Sequence, residues 1–172
     1  AFTGTVSGTG TRELLRSVAI SSNTASVEFI HGSNGVVLDS TYSRYEIHID
    51  TCVGATAQDL RVYGSSDGGS SYFGDGTYNT LTHRSYTNGS STVTDINYEQ
   101  GFYASTSSNV PFASNKGGVD GTIVVTNLGT AHRTIFNTEF TYLDTSSYYV
   151  HLNFISAYES LTTIINAIKI AF

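Results

Sequence analysis

The sequence predicts an all-β domain of antiparallel strands, a sandwich or a barrel. Short runs with an apolar–polar period of two recur along the chain, and each is bounded by Gly, Asn, Asp and Ser. They number about nine, at the roughly 8–12-residue spacing of sandwich and barrel strands. No long 3.6-residue helical period interrupts them. With 172 residues, a single domain buries roughly 70% of its unfolded surface and needs no cross-links to hold a core.

Residues 1–11 are rich in Gly and Thr and read as an N-terminal arm or edge. In Glu13 to Ile20, Leu14, Leu15 and Val18 could line a short helix, but the serine-rich, β-branched context that follows favours a strand. Ala25, Val27 and Phe29 alternate in a clearer strand, closed by His31-Gly32-Ser33-Asn34-Gly35, and Val36 to Leu38 lead on. The centre of the pattern is Thr41 to Tyr72. Tyr45, Ile47 and Ile49 share one face of a half-buried strand, while Arg44, Glu46, His48 and Asp50 share the other. Leu60 to Tyr63 alternates again and is expected to make a central pair with that strand, and Asp67-Gly68-Gly69 supplies the positive φ of a tight hairpin.

Phe73 to Pro111 is rich in Gly, Ser, Thr, Asn and Tyr. It carries strand candidates at Tyr78–Tyr86 and Thr92–Tyr98, with Asn88-Gly89 as the turn between them. Its tyrosines offer large contact area with a polar tip at low entropic cost, so residues 72–103 are a candidate contact surface. Further strands are expected at Thr122–Leu128, at Thr134–Leu143 with Phe136, Phe140 and Tyr142 on one face, and at Tyr148–Tyr158. The last, Thr163–Phe172, aligns Ile164, Ile168, Ile170 and Phe172; its β-branched content favours strand over helix.

Charge narrows the function classes. Only 13% of residues are charged, about half the usual 25%, and Ser, Thr, Asn and Gly replace them. The net charge is −6 and Lys116 and Lys169 are the only lysines, so no nucleic-acid partner is expected. No run of 18 apolar residues suggests membrane insertion. The N-terminus lacks a basic region followed by an apolar core, so no secretory leader is expected. Cys52 is the single cysteine, which fits assembly in a reducing cytoplasm.

Motifs for chemistry are sparse. Five histidines (His31, His48, His83, His132 and His151) show no HxH or HxxxH spacing, so no metal site is expected. Asp67, Asp75 and Asp120 lie near glycines without the spaced pattern of a calcium loop. Glu46, Asp50, Glu99, Glu139 and Glu159 fall on strands, where polar-face carboxylates are normally solvated. No nucleophile elbow or phosphate loop occurs. A non-enzymatic role without cofactors is the expectation. Ser65-x-Asp67-x-Gly69-x-Ser71-Tyr72 resembles the Asp box of sialidases, which in that family is a structural turn. It occurs once here, so it implies a turn and not an activity.

A broader resemblance rests on Phe29-Ile30, Leu38-Asp39-Ser40-Thr41-Tyr42-Ser43-Arg44-Tyr45-Glu46-Ile47, Ala55-Thr56, Leu60-Arg61-Val62, Ser65 to Tyr72, and Ser160 to Ile168. Together these are similar to a group of virion structural proteins of tailed bacteriophages, many of them marine. The resemblance covers about half the chain and implies a jelly-roll-like β-sandwich on the virion surface, made in the host cytoplasm. It implies head decoration or a tail appendage, partnered by the major capsid protein or tail proteins. Members of the group continue past the Ile165-Asn166-Ala167-Ile168 segment into a closing hairpin. The sequence given ends at Phe172, so that terminal strand is absent, supplied by a neighbouring copy or outside the sequence, and the last strand here is expected to be an open edge that a neighbouring copy could complete. Self-association is expected through Tyr78, Tyr86, Tyr98, Phe102, Tyr103, Ile168, Ile170 and Phe172, as a trimer by analogy with phage decoration and fibre proteins. The rival expectation is a carbohydrate- or host-receptor-binding module. The absence of Trp, a common sugar platform, weighs against it.

Overall fold

The computed structural model describes residues 12–21, 23–53, 60–74, 78–87, 89–97, 102–103, 117–130, 132–143, 147–158 and 163–171. Among these are ten strands and no helix: β1 (Ser26–Ile30), β2 (Arg44–Cys52), β3 (Arg61–Ser65), β4 (Tyr78–Tyr86), β5 (Ser91–Asn97), β6 (Phe102–Tyr103), β7 (Val119–Thr126), β8 (Ile135–Leu143), β9 (Tyr149–Tyr158) and β10 (Ala167–Ala171). They form two antiparallel sheets, a four-stranded one in the order β1-β10-β3-β6 and a six-stranded one in the order β2-β7-β8-β9-β4-β5. The protein is an all-β sandwich.

Its strand order is that of a jelly roll. In an eight-stranded jelly roll, the first, last, third and sixth strands face the second, seventh, fourth and fifth. Here β1, β10, β3 and β6 face a sheet in which the meander β7-β8-β9 occupies the place of one strand between β2 and β4. The chain thus crosses from sheet to sheet after β1, β2, β3, β5, β6 and β9.

Period-two patterning places the core between the sheets. β8 alternates strictly, with Phe136, Thr138, Phe140 and Tyr142 buried and Ile135, Asn137, Glu139 and Thr141 exposed. Val150 and Leu152 of β9 and Ile123 and Val125 of β7 join them, and Val62, Ile168 and Ile170 arrive from the smaller sheet. Tyr45, Ile47 and Ile49 face this core as expected. Ile47 and Ile49 are only partly buried, because β2 is an edge strand with a neighbour on one side alone. Gly121 stands opposite Phe140 in the β7–β8 ladder. A Cβ there would lie 2.2 Å from the Phe140 ring and 2.3 Å from the Glu139 carbonyl oxygen, so the absent side chain is what admits the aromatic ring.

Several expectations are corrected. β2 and β3 do not form a central pair; consecutive along the chain, they lie in opposite sheets. The Asp67 turn does not join two paired strands. Beyond it the chain returns alongside β3, with the Phe73 N–H donating to the Gly64 carbonyl at 2.9 Å, and the ladder partners of β3 are β10 and β6. Residues 12–21 have no regular secondary structure. They form a strap with Leu15 against the core and Leu14, Val18 and Ile20 exposed.

The largest correction concerns the C-terminal strand. β10 is not an open edge: all five of its residues pair with β1 on one side and with β3 on the other. Ile168 and Ile170 are core residues, 0% and 3% exposed, and cannot serve as an interface. The physical reason is topological. A last strand inserted between the first and third closes the smaller sheet from within, a pairing that no local pattern announces.

Candidate functional site

Two regions hold the concentrated polar and exposed chemistry: the Asp67 turn on the smaller sheet, and the outer face of the six-stranded sheet.

The turn is built on Ser65, the last residue of β3 and fully buried. Its hydroxyl donates to Asp67 Oδ1 at 2.7 Å and accepts the Gly69 N–H at 3.0 Å. Asp67 also receives the Ser71 N–H (2.9 Å) on Oδ1 and the Ser71 hydroxyl (2.6 Å) on Oδ2. These donors favour the charged form. The Ser71 hydroxyl acts first, then the Ser71 N–H and the Ser65 hydroxyl, and together they hold the exposed Asp67 carboxylate down at about 2. Gly68 and Gly69 take φ of 71° and 83°, the left-handed region that glycine enters without strain. A carboxylate that already accepts three hydrogen bonds from its own turn is a weak base, which makes the turn a structural clasp.

The clasp has a second half that sequence reading missed. Asn166, just before β10, accepts the Gly68 N–H on Oδ1 (3.0 Å) and donates from Nδ2 to the Ser66 carbonyl (3.2 Å). Its backbone N–H donates to the Ser65 carbonyl at 2.8 Å, and its own carbonyl accepts the His31 N–H at 3.0 Å. Two stretches about a hundred residues apart, the Ser65–Tyr72 turn and the residues around Asn166, therefore meet here. The only sequence signal was a lone polar residue in an apolar run, Ile164-Ile165-Asn166-Ala167-Ile168.

Tyr72, the last residue of the motif, packs beside this clasp. Glu28, Lys169 and Tyr63 stand in register across β1, β10 and β3. Lys169 Nζ lies 4.0 Å from the Tyr72 ring centroid and 4.9 Å from that of Tyr63, within range of a cation–π contact. The Tyr72 hydroxyl is buried without a hydrogen-bond partner in good geometry. Burial first, and the nearby Glu28 carboxylate second, push it up to about 12.

The outer face of the six-stranded sheet carries the exposed apolar side chains Ile135, Ile155 and Tyr149. Ile135 and Ile155 are diagonal neighbours, since Ile135 pairs with Ala157 and Asn137 with Ile155. His48 and His151 lie on this face, as their strand parity predicts. His48 Nε2 is 3.4 Å from Glu46 and His151 Nε2 is 3.7 Å from Glu139. Glu46 also contacts Arg44 at 2.9 Å and Arg12 at 3.6 Å. His31 is structural, its Nδ1 accepting the Leu38 N–H at 3.1 Å. Among the described residues no three His, Cys, Asp or Glu side chains converge as metal ligands. Asp120 instead accepts the Thr51 N–H at 2.7 Å, while Asp75, Glu99 and Glu159 lie outside the described residues.

Of the expected interface residues, Ile168 and Ile170 are enclosed in the core. Tyr78 opens β4, and Phe102 and Tyr103 make up β6, paired with Val62 and Arg61 of β3. Tyr86 packs half-buried against the core. Tyr98 and Phe172 lie outside the described residues. No family model, curated protein or solved structure matches the chain.

Proposed function

We propose that this protein is a non-enzymatic structural component of a tailed-bacteriophage particle. In this reading it is a head decoration or tail-appendage subunit that associates with itself and with capsid or tail proteins at the virion surface. The strand order carries the reading: the jelly roll, here with an inserted meander, is an architecture of viral capsid domains as well as of lectins. Fold alone does not fix function, so the surface supplies the second support. Away from the charged edge strand β2, the outer face of the six-stranded sheet exposes Ile135, Ile155 and Tyr149. Such a composition lets like copies approach closely.

A glycan- or receptor-binding module is the competing reading, and the exposure of the consecutive residues Tyr148 and Tyr149 is the feature that favours it. Immunogold labelling of gradient-purified virions, with binding of the purified protein to a panel of host-surface glycans, decides between them. The particle reading expects regular labelling of heads or tails and no glycan binding that depends on Tyr148 and Tyr149. Unlabelled particles overturn it.

A further inference from the structure

A β-sandwich has four sheet edges, and each presents backbone donors and acceptors that invite another strand. Among the described residues, three of the four carry a device against this. β1 is flanked by the strap, whose Arg16 guanidinium donates to the edge carbonyl of Glu28 at 2.8 Å. β2 carries Arg44, Glu46, His48 and Asp50 on its outer face and breaks register between Ile49 and Cys52, with Thr51 at φ 47°. β6 is only two residues long. β5, Ser91–Asn97, differs from all three. Its sequence STVTDIN holds one charge and no proline, and its ladder to β4 runs unbroken from Ser85↔Ser91 to Asn79↔Asn97.

The hydrogen-bond phase of that ladder fixes which groups point outward. Tyr86 N–H donates to the Ser90 carbonyl at 3.0 Å, so 86 and 90 form a hydrogen-bonded pair. Such pairs alternate along an antiparallel ladder, which turns the N–H and C=O groups of Thr92, Thr94 and Ile96 toward β4. Those of Ser91, Val93, Asp95 and Asn97 face away from the sheet.

We propose that β5 is the edge through which the protein self-associates, pairing antiparallel with β5 of a second copy about a two-fold axis at Thr94. The segment is self-complementary in that register. Thr94 meets Thr94, Val93 meets Asp95, Thr92 meets Ile96 and Ser91 meets Asn97, so all seven residues pair and no like charges stand opposed. The outward-facing groups of Val93 and Asp95 fall opposite one another, as the hydrogen-bonded pairs of the new ladder require. The result is a continuous twelve-stranded sheet across two copies, joining the six-stranded sheet of each. This names the contact for the self-association proposed above and rests on that reading.

The test is sedimentation equilibrium on the full chain and four variants, with cysteine cross-linking. Val93→Pro removes an outward N–H and leaves the β4–β5 ladder intact, so it should weaken association about tenfold or more. Val93→Asp sets two carboxylates opposite Asp95 and should do the same, whereas Val93→Lys should preserve or tighten the dimer. In a Cys52→Ser background, Thr94→Cys places two thiols at a non-hydrogen-bonded pair with Cα atoms about 4.5 Å apart, within disulfide reach. It should give a covalent dimer under mild oxidation. Association that all three Val93 variants leave unchanged, without Thr94→Cys cross-linking, overturns the edge and leaves self-association standing. A monomer at every concentration overturns both.

Discussion

Replacing Ile168 by Ala tests the placement of β10 most directly. Ile168 is fully buried on one of the two inner strands of the smaller sheet, between Phe29 of β1 and Gly64 of β3. The change removes three carbons, worth about 2.4 kcal/mol at about 0.8 kcal/mol per buried methylene. A residual cavity of about 80 Å³ would add about 2 kcal/mol at roughly 24 cal/mol per Å³. With partial collapse the expected loss is about 3–4 kcal/mol, which lowers Tm by about 6–16 °C at about 2–4 °C per kcal/mol for a domain of this size. The loss should not depend on protein concentration, because no partner is involved. The matched control is Ile164→Ala, at a residue 47% exposed, which should stay within about 0.5 kcal/mol. Urea denaturation followed by tyrosine fluorescence, at two protein concentrations, measures both. An Ile168→Ala variant with unchanged midpoint but altered oligomeric state would return β10 to the surface and refute the topology argued here.

Other expectations follow from the clasp and the β7–β8 contact. Ser65→Ala should cost about 1–3 kcal/mol, since the buried hydroxyl serves Asp67 and the Gly69 N–H together; equal urea midpoints for variant and parent would refute its role. The Asp67 carboxyl is depressed from 3.8 to about 2 in the fold, so its contribution is fully present above 3.8 and fades as pH falls towards 2. The stability gap between the parent and Asp67→Ala should therefore narrow over that window in acid urea titrations, and a gap independent of pH would contradict this. Tyr72→Phe should be neutral or stabilising in thermal melts, because the hydroxyl it removes is buried without a partner; a clear loss would instead reveal a working bond to Glu28. Gly121→Ala should leave the chain largely insoluble, since its Cβ meets a carbonyl oxygen of the neighbouring strand.

Much of the fold was legible in one dimension because side chains alternate across a strand whatever the strand pairs with. Phe136, Phe140 and Tyr142 announce the buried face of β8, and Tyr45, Ile47 and Ile49 that of β2. Asn88-Gly89 announces the β4–β5 turn, and Ser65 to Tyr72 announces a turn held by its own hydroxyls. These are local facts, set by backbone geometry and by hydrogen bonds a few residues long. Which strand lies beside which is not local. A strand such as Ala167-Ile168-Lys169-Ile170-Ala171 has the same period at an edge or in the middle of a sheet. Only the closing of the sandwich put it between β1 and β3, burying Ile168 and Ile170 and bringing Asn166 onto the Asp67 turn. The same closure placed β2 and β3 in opposite sheets and left β5, whose pattern alone says nothing of its neighbours, at the rim. Alternation sets the face a residue occupies, whereas ladder partners are chosen by contacts that exist only once the two sheets have packed.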